Sequence, residues 1–186
     1  MDLTTWLLAE HDETRARHRD QVQRIVPADA RTARLPGGNS IRWATYHVAR
    51  HAALALVVAG AAEPESDSRL AAFPAAAIRG GAGLQEVEQA WAADLALEAV
   101  DAFAAAVADD VRAYLTRVGP EELDRVPDVA GRLSAAGVDT EEFGWLQRMW
   151  DGPVGFLVRW PMLGHWTNHV GEMIATRNQL GFSPFR

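Results

Sequence analysis

Cysteine is absent from the 186-residue chain, and so is lysine. Without thiols there is no disulfide framework and no thiolate ligand, so a metal can be held only by His, Asp or Glu. Nor does the chain carry a thiol nucleophile; any thiol chemistry requires a thiol from outside. Basic charge is scarce: 18 basic residues face 25 acidic ones, for a net charge of −7. With no basic patch, that balance argues against a nucleic-acid partner, because phosphate binding needs a surplus of cations on one face. No apolar run approaches the roughly 18 to 20 residues of a membrane-crossing helix, so no membrane partner is expected. The opening MDLTTWLLAEHDE has no positive leader and its apolar run stops at Ala9, unlike a signal peptide; a cytoplasmic location is the expectation. Strand-like alternation is missing as well.

What is present is helical periodicity in an ordinary globular composition, 48% apolar and 23% charged. No repeat or internal boundary divides residues 1–186, which read as one domain. A first helix is predicted from Leu3 to Val26, stopped by Pro27. A second runs from Ile41 to Ala59 with Ser40 or Asn39 as N-cap, closed by Gly60. Residues 61–83 read as a loop with one short turn. The third and longest is predicted from Leu84 to Val118, where Leu84, Val87, Trp91, Leu95, Phe103, Val107, Val111, Leu115 and Val118 recur at helical spacing. Such a helix would be about 50 Å long, so a bend or break is expected. Shorter helices follow at 130–136 and 140–150. The last long helix is predicted from Pro161, read as its first residue, to Gly181, read as the residue just past its end. Four long helices with sizeable connections predict an all-α four-helix bundle.

The six histidines fall in pairs. His18 lies within the charged run ETRARHRDQ and reads as part of a solvated face; His11 reads as structural. His47 and His51 are four apart on the second helix, His165 and His169 four apart on the last. Residues i and i+4 project from one helical face, so each of these two pairs presents two imidazoles together. Two helices of one bundle, each offering imidazole to an apolar interior, form a metal site of the kind bundles carry. Three neutral imidazoles suit zinc, nickel or ferrous iron and leave a position open. The di-iron carboxylate pattern does not fit, since only Glu172 stands at the required spacing, and in reversed order after His169.

GHWTNHVGEMIATRNQLG, Gly164 to Gly181, resembles the last-helix signature of the DinB/YfiT-like superfamily: H-x-x-x-H-x-G-[EQ], an apolar-rich turn, an arginine and Leu-Gly. NSIRWATYHVARHAA is similar to that superfamily's second-helix signature, W-x-x-x-H-hydrophobic-A-R. The tail GFSPFR and the segment EELDRVP, Glu121 to Pro127, also resemble segments found there. About 45 residues carry the likeness directly. It implies an up-down-down-up four-helix bundle whose metal ligands match His47, His165 and His169. His51 has no ligand counterpart; packing, a hydrogen bond near the site and a fourth nitrogen all stay open for it. Glu172 occupies the superfamily's Glu/Gln position, implying support of a ligand histidine or pairing with Arg50 or Arg177. Gly171 is expected to let helices approach closely, and Trp43, Trp166 and Tyr46 to pack around the site.

The resemblance further implies a divalent-metal-dependent enzyme acting on a small-molecule substrate. Several relatives use a low-molecular-weight thiol of the mycothiol or bacillithiol type as co-substrate, which implies S-transfer or isomerisation. A metal-dependent hydrolase and a non-catalytic ligand-binding or dimeric module stand as alternatives. The alanine-rich third helix suits a homodimer and equally a monomer core.

Overall fold

A computed structural model describes residues 2–63, 68–79, 83, 85–139 and 141–185. The described residues are helical, with no β-strand among them. None of their helices is long and apolar enough to cross a membrane.

Helix α1 (Leu3–His18) opens at Asp2, whose carboxylate accepts from the Thr5 amide at 2.8 Å. It runs on through a wider π-helical stretch, Arg19–Gln23. The single turn α2 (Ala28–Arg31) follows Pro27. Helix α3 (Ile41–Val58) begins where Ser40 Oγ accepts from the Trp43 amide at 3.0 Å, as its N-cap pattern predicts. After α4 (Ala75–Arg79) come two short 3-10 turns, Glu86–Glu88 and Ala90–Asp94, and then α5 (Leu97–Leu115). Short helices α6 (Pro120–Asp124), α7 (Val129–Ala135) and α8 (Gly144–Trp150) lead to α9 (Val154–Leu157). A π-helical segment, Val158–Gly164, joins α9 to α10 (His165–Gln179).

Every residue of α3 except Arg42 is buried, so this helix is the axis of the core. It packs against α5 and α10, while α1 packs against the same two helices. Trp43, Tyr46, Phe73, Trp91 and Phe103 meet between α3 and α5, with ring centroids 5.0 to 6.3 Å apart.

Three predicted helices start elsewhere. The third helix starts at Leu97, and its expected beginning at Leu84 lies outside the described residues. The 3-10 turns before Leu97 are held from continuing the α-helix by tertiary contacts. Arg42 donates to the carbonyls of Ala92 (3.0 Å), Ala93 (3.4 Å) and Leu95 (2.8 Å), taking acceptors that a helix would use. Glu86 meanwhile accepts from the Ser40 amide at 2.6 Å and the Ser40 hydroxyl at 3.0 Å. Pro161 is not a first helical residue either. It sits inside the π-helical segment, where the wider turn accommodates its missing N–H. The predicted end holds: Gly181 has φ +95°, and the Phe182 amide bonds back to the Arg177 carbonyl at 3.0 Å. Thr140, the expected start of the 140–150 helix, lies outside the described residues; the observed helix begins at Gly144.

Candidate metal centre

The packing of α3 against α10 sets His47 opposite His165 and His169. His47 Nε2 lies 3.1 Å from His165 Nε2, which lies 3.1 Å from His169 Nε2. One ligand atom from each of the three falls within 4.8 Å of the others. His47 and His165 are buried, and the His169 side chain is 19% exposed, so the group opens to solvent on the His169 side.

The route into His165 is unusual. The π-helical segment ends on Gly164, where an added β-carbon would stand 2.9 Å from the Arg159 carbonyl oxygen and 3.3 Å from the Trp160 ring. No larger residue fits without moving backbone. Trp160 can therefore lie against His165, ring centroids 5.4 Å apart. On the α3 side, Trp43 stacks on His47 at 6.3 Å and 25°.

The nitrogens' protonation follows from the partners of the outer atoms. His169 Nδ1 lies 2.6 Å from Glu172 Oε2. The carboxylate is acceptor-only, so Nδ1 carries a proton and Nε2 is the nitrogen turned toward His165. Asn39 Nδ2 donates to the other carboxylate oxygen at 3.5 Å, while Asn39 Oδ1 accepts from the Glu86 amide at 2.9 Å. The loop before α3 is thereby tied to α10 through Glu172. The hydrogen bond from His169 holds the Glu172 carboxyl below its ordinary range.

His165 Nε2 cannot satisfy both neighbours, because an imidazole nitrogen carries one proton or one lone pair, not both. At most one of the two 3.1 Å contacts is therefore a linear hydrogen bond. A cation removes that conflict by accepting all three lone pairs. Imidazole ligands at about 2.0–2.1 Å from such an ion stand roughly 3.3 Å apart in a tetrahedral site, near the two 3.1 Å contacts of His165, while the three atoms as a group lie within 4.8 Å. Burial, then the neighbouring histidines, push His47 well below its ordinary value, with a backbone hydrogen bond to Gly83 opposing. Burial likewise takes His165 down to about 2. Both rings are neutral at physiological pH, the state a metal requires. The three histidines therefore form a group able to hold a metal ion.

His51 lies beside them. Its ring is 4.5 Å from that of His47 and 4.7 Å from that of His165, but the convergent nitrogens are those of His47, His165 and His169.

Several expectations need correction. His18 is not solvated: it is fully buried, its Nε2 3.3 Å from Thr45 Oγ1 and its ring 5.8 Å from Trp166. Burial pushes it down to about 3, with Arg15 and Arg31 adding to the effect. The signal was there, because Leu7, His11, Thr14 and His18 form a helical stripe with polar members. Trp166 packs against His18 and Arg15. Tyr46 donates to the Ala77 carbonyl at 3.0 Å and packs on the aromatic cluster. A β-carbon at Gly171 would meet nothing within 4 Å; the close approach belongs to Gly164. Arg177 donates to the Gln21 carbonyl at 2.7 Å and to Asn178, and Arg50 to the Ile78 carbonyl at 2.6 Å, neither to Glu172.

Comparisons with protein-family models, with curated proteins and with solved structures return no match.

Proposed function

We propose that the chain is a divalent-metal-dependent enzyme whose ion is held by His47, His165 and His169. The observation that carries this reading is the meeting of three Nε2 atoms whose contacts cannot all be hydrogen bonds. The likeness of GHWTNHVGE and RWATYHVARH to DinB/YfiT-like signatures supports the same ligand set and an up-down-down-up four-helix bundle. On that reading the ion is zinc, nickel or ferrous iron, and the co-substrate a low-molecular-weight thiol used for S-transfer or isomerisation.

A divalent metal held by imidazoles supplies Lewis acidity, which makes a thiol or water nucleophilic at neutral pH. The protein's part is positional. Glu172 fixes the His169 tautomer and ring direction, and Asn39 holds Glu172. Trp43 and Trp160 pack against His47 and His165. The absence of cysteine fits a thiol drawn from outside.

The test is consumption of a thiol with a generic electrophile by untagged protein loaded with zinc, nickel or ferrous salt. Metal-dependent turnover that is lost in His165→Ala supports the thiol reading. Turnover of esters or amides with no thiol consumed contradicts it and assigns a hydrolase.

A further inference from the structure

Leu3, Trp6, Leu7 and Glu10 follow one another at helical spacing and so share a face of α1. Leu7 is buried, but Leu3 and Trp6 remain 41% and 46% exposed. All four line a recess of about 430 Å³, which α1 forms with α6, α9, the π-helical segment and α10. Large apolar side chains left uncovered around a concave space mark a binding site more often than a chance surface. The volume falls within the range of small-molecule pockets, roughly 300–1,000 Å³.

The wall opposite α1 is set by packing. Gly155 lets α9 approach α6, since an added β-carbon there would stand 3.2 Å from the Leu123 carbonyl oxygen. Gly164 gives room to the Trp160 ring, which would lie 3.3 Å from a β-carbon at that position. Trp160 is thus seated between Gly164 and His165, whose ring centroid is 5.4 Å from its own. It lines the recess together with Leu123, Val158 and Leu163.

Charge narrows the class of occupant. Among the described residues the lining carries one carboxylate, Glu10, and one guanidinium, Arg159. An ion of either sign meets a like charge there, and gives up hydration to apolar walls. A neutral ligand meets neither penalty, and two indoles suit an aromatic ring.

We propose that this recess binds a neutral aromatic small molecule, held by Trp6 on α1 and Trp160 on the π-helical segment. The site goes beyond the metal reading and does not rest on it. Trp160 is the wall it shares with His165.

The test follows the Trp6 and Trp160 indole NMR signals of the metal-free full chain, so the outcome is independent of whether the histidines hold an ion. Benzyl alcohol, benzoate and benzylammonium, alike in size, are titrated at matched ionic strength. Saturable shifts at both indoles are expected with benzyl alcohol, and binding severalfold weaker with each ion. Trp6→Ala, at a half-exposed position, weakens benzyl alcohol about three- to tenfold, read at Trp160. Leu3→Ala replaces that variant if it does not fold. Absence of saturation, tighter binding of either ion, or undiminished binding in the variant would overturn the proposal. So would Trp6 shifts produced by raising protein concentration alone, with a dimer in sedimentation, which would give the recess to a second copy of the chain.

Discussion

His47 and His165 lie 118 positions apart in the chain, yet their Nε2 atoms stand 3.1 Å from one another. With His169 Nε2 equally near His165 on its other side, the three lone pairs converge between two different helices. This assembly does not serve the imidazoles' own stability, since His165 Nε2 can make only one of its two contacts a linear hydrogen bond. A cation could occupy the place where they meet.

If Glu172 sets the tautomer of His169, its loss weakens the site without removing a ligand. Glu172→Ala is expected to lower metal affinity about 10- to 100-fold in competition with a chelator. Glu172→Gln loses less, because the amide oxygen still accepts from Nδ1–H. Equal affinities for all three proteins would remove Glu172 from this role.

Two glycines of the same signature differ in what they tolerate. Gly164→Ala places a methyl 2.9 Å from the Arg159 carbonyl oxygen and is expected to destabilise by about 1–3 kcal/mol. Gly171→Ala meets nothing and is expected to stabilise by up to about 1 kcal/mol through helix propensity. Urea midpoints check both, and a neutral Gly164→Ala contradicts the packing at the π-helical turn.

Acid sensitivity follows from His18 and His165, whose folded values of about 3 and about 2 lie below the ordinary 6.5. The unfolded chain takes up protons that the folded chain refuses, so their stabilisation is complete above pH 6.5 and falls as pH drops toward 3. The slope is up to about 1.4 kcal/mol per pH unit for each ring. In metal-free protein, His18→Gln is expected to flatten the change in urea midpoint between about pH 6.5 and 5. An unchanged slope contradicts a buried neutral His18.

The segment before α5 depends on Glu86. Its carboxylate accepts the Ser40 amide at 2.6 Å in a buried setting, so Glu86→Ala leaves that donor unmet. A loss of about 1–3 kcal/mol is expected by chemical denaturation. Stability equal to the parent would mean that Ser40 has another acceptor.

Where local chemistry decides, the sequence was legible. Ser40 caps α3 and Gly181 ends α10 as their positions predict, and the i, i+4 histidine pairs face where helical geometry sends them. The illegible parts depend on distant residues. Nothing near Trp91 announces that Arg42, about fifty positions earlier, takes the carbonyls at 92, 93 and 95. Pro161 looks like a helix start until a π-helical turn carries it inside. His18 sits among arginines and aspartates, so composition reads as solvent-facing, while the 7-11-14-18 stripe places it in the core. Gly171 stands in the recognisable motif, but the steric demand falls on Gly164, through the Trp160 ring and the Arg159 carbonyl.

The most direct measurement is metal content of protein purified without a histidine tag, after incubation with zinc, nickel or ferrous salts and removal of free ion. The native chain is expected to retain one equivalent of at least one of these metals, and the His47→Ala, His165→Ala double variant to retain almost none while staying helical by circular dichroism. Equal metal in the two proteins, or negligible metal in both, would contradict a centre built from His47, His165 and His169.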